Sequence, residues 1–151
     1  MARPDASAPV LAARSTCMHR VAFYETDAMG IVHHSNYVRF FERARVVWMD
    51  EHDRPYREYA AEGLHFATTA LELHYRRSAR FDDILAITTW MEWVKRASLR
   101  MAYAIHRDDE LVAYGASTHA MVDLDGRPRG IPPARRTALQ ATLTANSAAP
   151  G

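Results

Sequence analysis

Residues 24–45 read YETDAMGIVHHSNYVRFFERAR, and these 22 positions hold an acidic residue, a glycine turn, a histidine pair, an N-cap signal and the start of an amphipathic helix. Asp27 precedes Ser35 by eight positions, and Gly30 between them is free to take the positive φ that folds a loop back. Ser35 and Asn36 are both good N-cap types. From there Tyr37, Phe40, Phe41, Ala44, Val47 and Trp48 recur at spacings of three and four, which is one apolar helical face. Arg39, Glu42, Arg43 and Asp50 occupy the other side, so the helix covers a core rather than spanning anything. At about 15 residues it would be roughly 22 Å long. Its first turn presents free N–H groups and about half a positive charge to whatever the loop holds.

A carboxylate beside such donors suits acyl transfer: it attacks a carbonyl or activates water while helix-start amides stabilise the developing oxyanion. The same aspartate, in a loop with glycine, equally suits an Asx-turn closed on its own backbone. The residues alone leave both open.

Beyond the helix, Asp53-Arg54-Pro55 breaks it, and Pro55 suits the first position of a second short helix that runs through Glu62 and ends at Gly63. The period then changes to two. Residues 65–77 alternate apolar and polar, residues 81–95 and 97–106 are extended, and residues 111–124 follow the Asp108-Asp109 turn. Upstream, residues 19–25 (HRVAFYE) read as a first strand. Five strands with one long helix after the first make an α+β plan in which a curved antiparallel sheet buries the helix. Asp125-Gly126 is a turn, residues 130–133 end the sheet, and residues 134–143 suit a short terminal helix. The expected organisation is a disordered arm over residues 1–17, one domain over 18–138 and a mobile tail over 139–151, with no repeat or second domain.

Composition bounds the function. The 151 residues suit one domain with a single core, and 48% hydrophobic with 25% charged is ordinary for a globular chain. A net charge of +1 without a basic stripe argues against nucleic acid. Among the 19 basic residues Lys95 is the only lysine, which reads as composition bias. The single cysteine, Cys17, excludes an intramolecular disulfide and has no acid or base planned around it. Residues 1–16 carry no apolar run of signal-peptide length, and no stretch is long enough to span a membrane, so a cytoplasmic protein is expected.

The run Thr26-Asp27-Ala28-Met29-Gly30-Ile31-Val32-His33-His34-Ser35-Asn36-Tyr37, followed by Phe41-Glu42-Arg43-Ala44-Arg45, resembles the signature of the 4-hydroxybenzoyl-CoA thioesterase family of hotdog-fold proteins. Within it, the pattern is most similar to the bacterial acyl-CoA thioesterases associated with the Tol-Pal system. The resemblance extends more loosely through Arg80-Phe81-Asp82-Asp83 and Gly126-Arg127-Pro128. It implies that Asp27 is the catalytic nucleophile or general base, that the His34 N–H binds the thioester carbonyl, and that the His34 side chain borders the site. Gly30 and Tyr37 would shape the substrate pocket. Lys95 and Arg96, in the bend between two long strands, would meet the CoA phosphates, with Arg127 and Arg129 as a second candidate pair. Met29 stands where relatives often have Pro, Ala or Gly. The family's site lies between subunits, so a homodimer or homotetramer is implied, and the open edges of a single curved sheet argue the same way. No cofactor is implied, because coenzyme A is part of the substrate.

Other residues have plainer readings. His33 and His34 lack companions at metal-ligand spacing, so no metal is expected. His65, His74, His106 and His119 read as satisfied sheet or surface histidines. Trp90 and Trp93, with Tyr75 and Phe66, are candidates for an acyl pocket but suit sheet packing as well. Two rival functions remain. A hotdog hydratase or dehydratase resembles an Asp-x-Asn-Pro-x-His pattern that this chain lacks, and a noncatalytic acyl-CoA-binding or interaction module would not need Asp27.

Overall fold

A computed structural model describes residues 6–9 and 11–144. Residues 1–5 and 10 of the expected N-terminal arm and residues 145–151 of the expected C-terminal tail lie outside the described residues. The elements are β1 (Arg14–Arg20), a 3-10 turn (Phe23–Glu25), α1 (Asn36–His52), α2 (Tyr56–Ala61), β2 (His65–Tyr75), β3 (Ile84–Val94), β4 (Ser98–Arg107), β5 (Glu110–Val122) and α3 (Pro133–Ala141). The strands form one antiparallel sheet in the order β1-β3-β4-β5-β2. The α+β plan of five strands around one long helix is therefore present.

Helix α1 lies on one face of the sheet. Tyr37, Phe40, Phe41, Ala44 and Trp48 of its apolar face are buried, joined by Met49, while Val47 is half-buried. They meet Leu85, Ile87, Met91, Met101, Tyr103 and Ile105 from alternate positions of β3 and β4. Phe41 stacks flat on Tyr103, with centroids 4.2 Å apart and planes 7° apart. The Trp48 indole N–H donates to the Ala13 carbonyl at 3.1 Å, pinning the helix to the residue before β1.

The first strand differs from the expectation. It occupies Arg14–Arg20 rather than residues 19–25, so residues 14–17 belong to the sheet and not to a disordered arm. Its inward side chains are Ser15, Cys17 and His19, too polar to give an apolar alternation. The more hydrophobic Phe23 and Tyr24 are 76% and 84% exposed on the 3-10 turn, which forms because Glu25 accepts the Ala22 N–H at 2.7 Å. At the other end, α3 ends at Ala141, and Leu139 and Thr142 are buried, so residues 139–142 pack on the domain and are not mobile tail. The Ala13 N–H donates to the Thr142 carbonyl at 2.8 Å, tying the two ends of the domain together.

A polar chain crosses the core between α1 and the sheet. Arg45 donates to the Tyr103 hydroxyl (3.2 Å), which meets Ser117 Oγ (2.7 Å); Ser117 meets His119 Nε2 (2.7 Å), and His119 Nδ1 meets Thr68 Oγ1 (3.2 Å). His119 is fully buried, and that burial, followed by the Arg45 charge, lowers its pKa from 6.5 to about 3. Between those values the unfolded chain binds a proton that the folded chain refuses. Stability is thus fully present above pH 6.5 and is lost as pH falls toward about 3. We expect the urea midpoint to drop already between pH 6.5 and 5, above the range in which carboxylates titrate, and His119→Gln to flatten that slope. A wild-type midpoint constant across this interval would refute the assignment.

Candidate active site

The loop between the 3-10 turn and α1 is a tight hairpin. The Asp27 N–H donates to the Ile31 carbonyl and the Gly30 N–H to the Asp27 carbonyl, both at 2.9 Å, with Thr26 and Val32 bridged across it. Gly30 sits at φ +77°, the left-handed conformation that the turn needs. The hairpin is laid against the β2–β3 connection by a bridge between Ile31 and Arg80 and by the Val32 N–H to the Ala79 carbonyl at 2.8 Å.

Asp27, His34 and Tyr37 come together here. With Met29, Ile31 and Tyr75 they line a cleft of about 250 Å³, which residues 76–78 complete. Asp27 does form an Asx-turn: its Oδ1 accepts the Met29 N–H at 2.9 Å. Among the described residues Oδ2 has no such partner, so turn-former and cleft carboxylate are not exclusive readings.

The His34 amide is the second feature. The neighbouring N–H groups are taken, that of His33 by the Glu25 carbonyl (2.8 Å), that of Ser35 by His33 Nδ1 (3.2 Å) and that of Asn36 by the His33 carbonyl (2.9 Å). Among the described residues no acceptor takes the His34 N–H. Its carbonyl is held by the Tyr75 hydroxyl at 2.9 Å and its ring lies 4.1 Å from that of His33, so the residue is fixed while its amide stays available. Tyr37 is buried beneath the cleft, its ring edge-on to Tyr75 at 5.2 Å. Burial is the main cause that raises its hydroxyl pKa, as suits a wall rather than an acid.

The helix start is built differently from the N-cap expectation. Ser35 is itself helical in φ and ψ, and its hydroxyl meets His33 Nδ1 at 2.7 Å instead of capping α1. Asn36 is the first residue of the helix, and its side-chain amide reaches back to the Glu25 carbonyl at 2.8 Å. The histidine beside the loop competes for the serine, a contact that N-cap preference does not include.

Lys95 and Arg96 are not brought to this cleft within the chain. They form the turn after β3, whereas Ile31 and Arg80 meet just before β3 begins; its 11 residues separate the two ends by roughly 35 Å. Lys95 Nζ lies over the Trp93 ring at 4.4 Å. Arg129 pairs with Asp123 at 2.9 Å. The proposed aromatic set also divides: Tyr75 lines the cleft and Phe66 a separate cavity of about 310 Å³ beneath the C-terminal half of α1, while Trp90 packs on the other side of the sheet with Ala102, Ala104 and Ala116. Sequence reading missed Glu25, the anchor of the loop, whose only sequence signal was its place two residues before Asp27. Among the described residues no group of three His, Cys, Asp or Glu side chains is placed to hold a metal, and no helix is long and apolar enough to cross a membrane.

The sequence model of the thioesterase-like superfamily matches residues 21–143, which include the whole cleft. The chain belongs to this superfamily. It is 32% identical over 115 residues to the acyl-CoA thioester hydrolase YbgC of Escherichia coli O6:H1, covering 75% of this chain and 86% of that protein. A solved structure of a Thermus thermophilus protein is 31% identical, with a TM-score of 0.81 and coverage of 86% and 98%. The DHNA-CoA thioesterase of Staphylococcus aureus superposes with a TM-score of 0.84 at 24% identity, covering 89% and 93%, and shares the fold. The thioesterase-like fold of this chain is accordingly the hotdog, with α1 inside the curved sheet, as the resemblance of residues 26–45 implied.

Proposed function

We propose that this protein is an acyl-CoA thioesterase that hydrolyses a small or medium acyl-CoA, aliphatic or aromatic, to the free acid and coenzyme A. The observation that carries the reading is one cleft lined by both Asp27 and His34, where the His34 amide is left without an acceptor. The thioesterase relatives agree with it.

In this mechanism the thioester carbonyl oxygen accepts the His34 N–H, and the partial positive charge at the start of α1 favours the negative charge that develops there. Asp27 acts through the oxygen not used by Met29. As a general base it takes a proton from water while the water oxygen bonds to the acyl carbon; the C–S bond then breaks and the thiolate receives the proton. As a nucleophile its oxygen bonds to the acyl carbon while the C–S bond breaks and the CoA thiolate leaves. Water then opens the mixed anhydride to give the free acid and restore the Asp27 carboxylate, its remaining proton going to the thiolate. Oxygen-18 incorporation into Asp27 in a single turnover separates the two. No metal or redox cofactor takes part, and coenzyme A enters only as part of the substrate.

The test is free-thiol release from acetyl, hexanoyl, palmitoyl, benzoyl and phenylacetyl CoA, with a no-substrate blank because Cys17 reacts with thiol reagents. Release with at least one substrate is expected. A folded protein that releases no thiol from any of them refutes the reading and favours a noncatalytic acyl-CoA-binding module, and turnover without thiol release favours a hydratase.

We also propose a cytoplasmic homodimer or homotetramer with sites at subunit interfaces. In support, β2 is an edge strand whose Leu71 and Tyr75 are exposed, and Val38 and Val46 are exposed on α1. In such an assembly Lys95 and Arg96 of one subunit would reach the CoA phosphates at the other's cleft. Sedimentation at micromolar concentration is expected to give a multiple of 17.1 kDa; a single-chain mass overturns the shared site.

A further inference from the structure

We propose that Glu25, held by His19, is the positioning residue that sets Asp27 against the His34 amide, an inference that rests on the proposed thioesterase reading. Glu25 sits where three elements meet, and both its backbone and its side chain are committed. Its carbonyl accepts two donors from beyond the hairpin, the His33 N–H and the Asn36 side-chain amide, both at 2.8 Å. The two sides of the Asp27 loop are thus clamped at one atom, next to the free amide of His34.

The side chain of Glu25 is what keeps that carbonyl in place. Only 7% exposed, it accepts the Ala22 N–H and meets His19 Nε2, both at 2.7 Å. His19 comes from β1, and its Nδ1 faces Arg43 Nη1 of α1 at 3.1 Å. A guanidinium only donates, so Nδ1 is the acceptor and the ring proton sits on Nε2, pointing at Glu25. The imidazole also packs on Phe40 at 4.6 Å. The chain Arg43–His19–Glu25 therefore ties the helix and the edge strand to the loop. A buried carboxylate with fixed donors has one geometry, whereas the tip of the hairpin beyond it, residues 28–30, is exposed, and the hairpin otherwise rests on the β2–β3 connection. Among the described residues the Glu25 side chain makes its hydrogen bonds to Ala22 and His19 and to no cleft-lining side chain, so it acts through Asp27 and His34 and not on substrate.

A misplacement of about 1 Å costs catalysis on the order of 100-fold while leaving substrate binding nearly intact. We expect Glu25→Ala to lower kcat by about 100-fold with KM, and the Kd of the non-hydrolysable thioether S-ethyl-CoA, within about threefold of wild type. Glu25→Gln keeps an acceptor for the Ala22 N–H and is expected to recover kcat to within about tenfold of wild type. His19→Phe keeps the packing on Phe40 but removes the donor, and is expected to lower kcat about tenfold without moving Kd; it decides the matter if Glu25→Ala does not fold. Wild-type kcat in Glu25→Ala or, failing that, in His19→Phe, or an equal loss of kcat and thioether affinity, overturns the proposal. If Asp27→Asn is also fully active, the underlying site assignment has failed; if only the Glu25 and His19 variants are active, the positioning role alone has failed.

Discussion

Asp27→Asn is expected to lower kcat/KM for the preferred acyl-CoA by about 10³-fold, within the range of about 10² to 10⁴ typical of losing a positioned acid or base. Asparagine is more informative than alanine here. Asp27 Oδ1 closes the Asx-turn on the Met29 N–H, and an asparagine side-chain oxygen accepts that bond equally well. The hairpin, with Gly30 at φ +77° and the Asp27 N–H on Ile31, then keeps its shape, so the loss reports on the carboxylate rather than on the loop. Asp27→Ala removes both and is expected to be at least as inactive. Thiol release, compared with a Cys17 blank and with circular dichroism to verify folding, measures the effect. An Asn variant within about threefold of wild type would remove Asp27 from the chemistry.

Gly115→Ala is expected to destabilise the sheet strongly, because of the glycines in the described residues its added Cβ meets the closest backbone. Gly115 lies in β5, paired with Leu73 of β2 on one side and Tyr103 of β4 on the other. A Cβ there would stand 2.1 Å from the Glu72 carbonyl oxygen and 3.0 Å from both the Glu72 carbonyl carbon and the Phe41 ring. Backbone of a paired strand has little room to yield, and Phe41 is held flat on Tyr103. Overpacking of this kind costs about 3 kcal/mol or more. For a domain of this size that lowers Tm by roughly 6–12 °C. Because β2 carries Tyr75, whose hydroxyl holds the His34 carbonyl, activity should fall together with Tm. A Tm within about 2 °C of wild type would show that β2 moves aside easily.

These two positions show how differently the chain discloses its parts. Asp27, Gly30 and Tyr37 are legible because they lie within 11 residues of one another, and His34 through the resemblance carried by the same run. A carboxylate, a residue able to take positive φ and the start of an apolar helical face within 11 residues suit a loop that brings an acid to a helix end, and they equally suit an Asx-turn; the structure contains both. The apolar spacing of α1 and the period-two runs of β2 to β5 likewise reflect local geometry, since side chains on one helical or strand face must share one environment. Gly115 carries no such signal. A glycine within a strand marks a close approach without naming what approaches, and Phe41 is 74 residues away in the chain.

What the sequence by itself determined is the α+β class, the central helix with its buried face and the loop that carries the candidate acid, because each follows from residue spacings shorter than a few helical turns. Tertiary structure alone decided the rest. It moved β1 onto Arg14–Arg20, whose inward Ser15 and His19 are satisfied by groups from α1 and the loop, so that the strand shows no hydrophobic period. It took Ser35 from the helix cap and gave it to His33, separated Lys95 and Arg96 from Asp27 by the length of β3, and buried His119 in a hydrogen-bonded chain with its charge suppressed. In each case the deciding partner comes from another element or from a side-chain competition, and the free energy of a buried polar group depends on who stands opposite it, which local spacing does not encode.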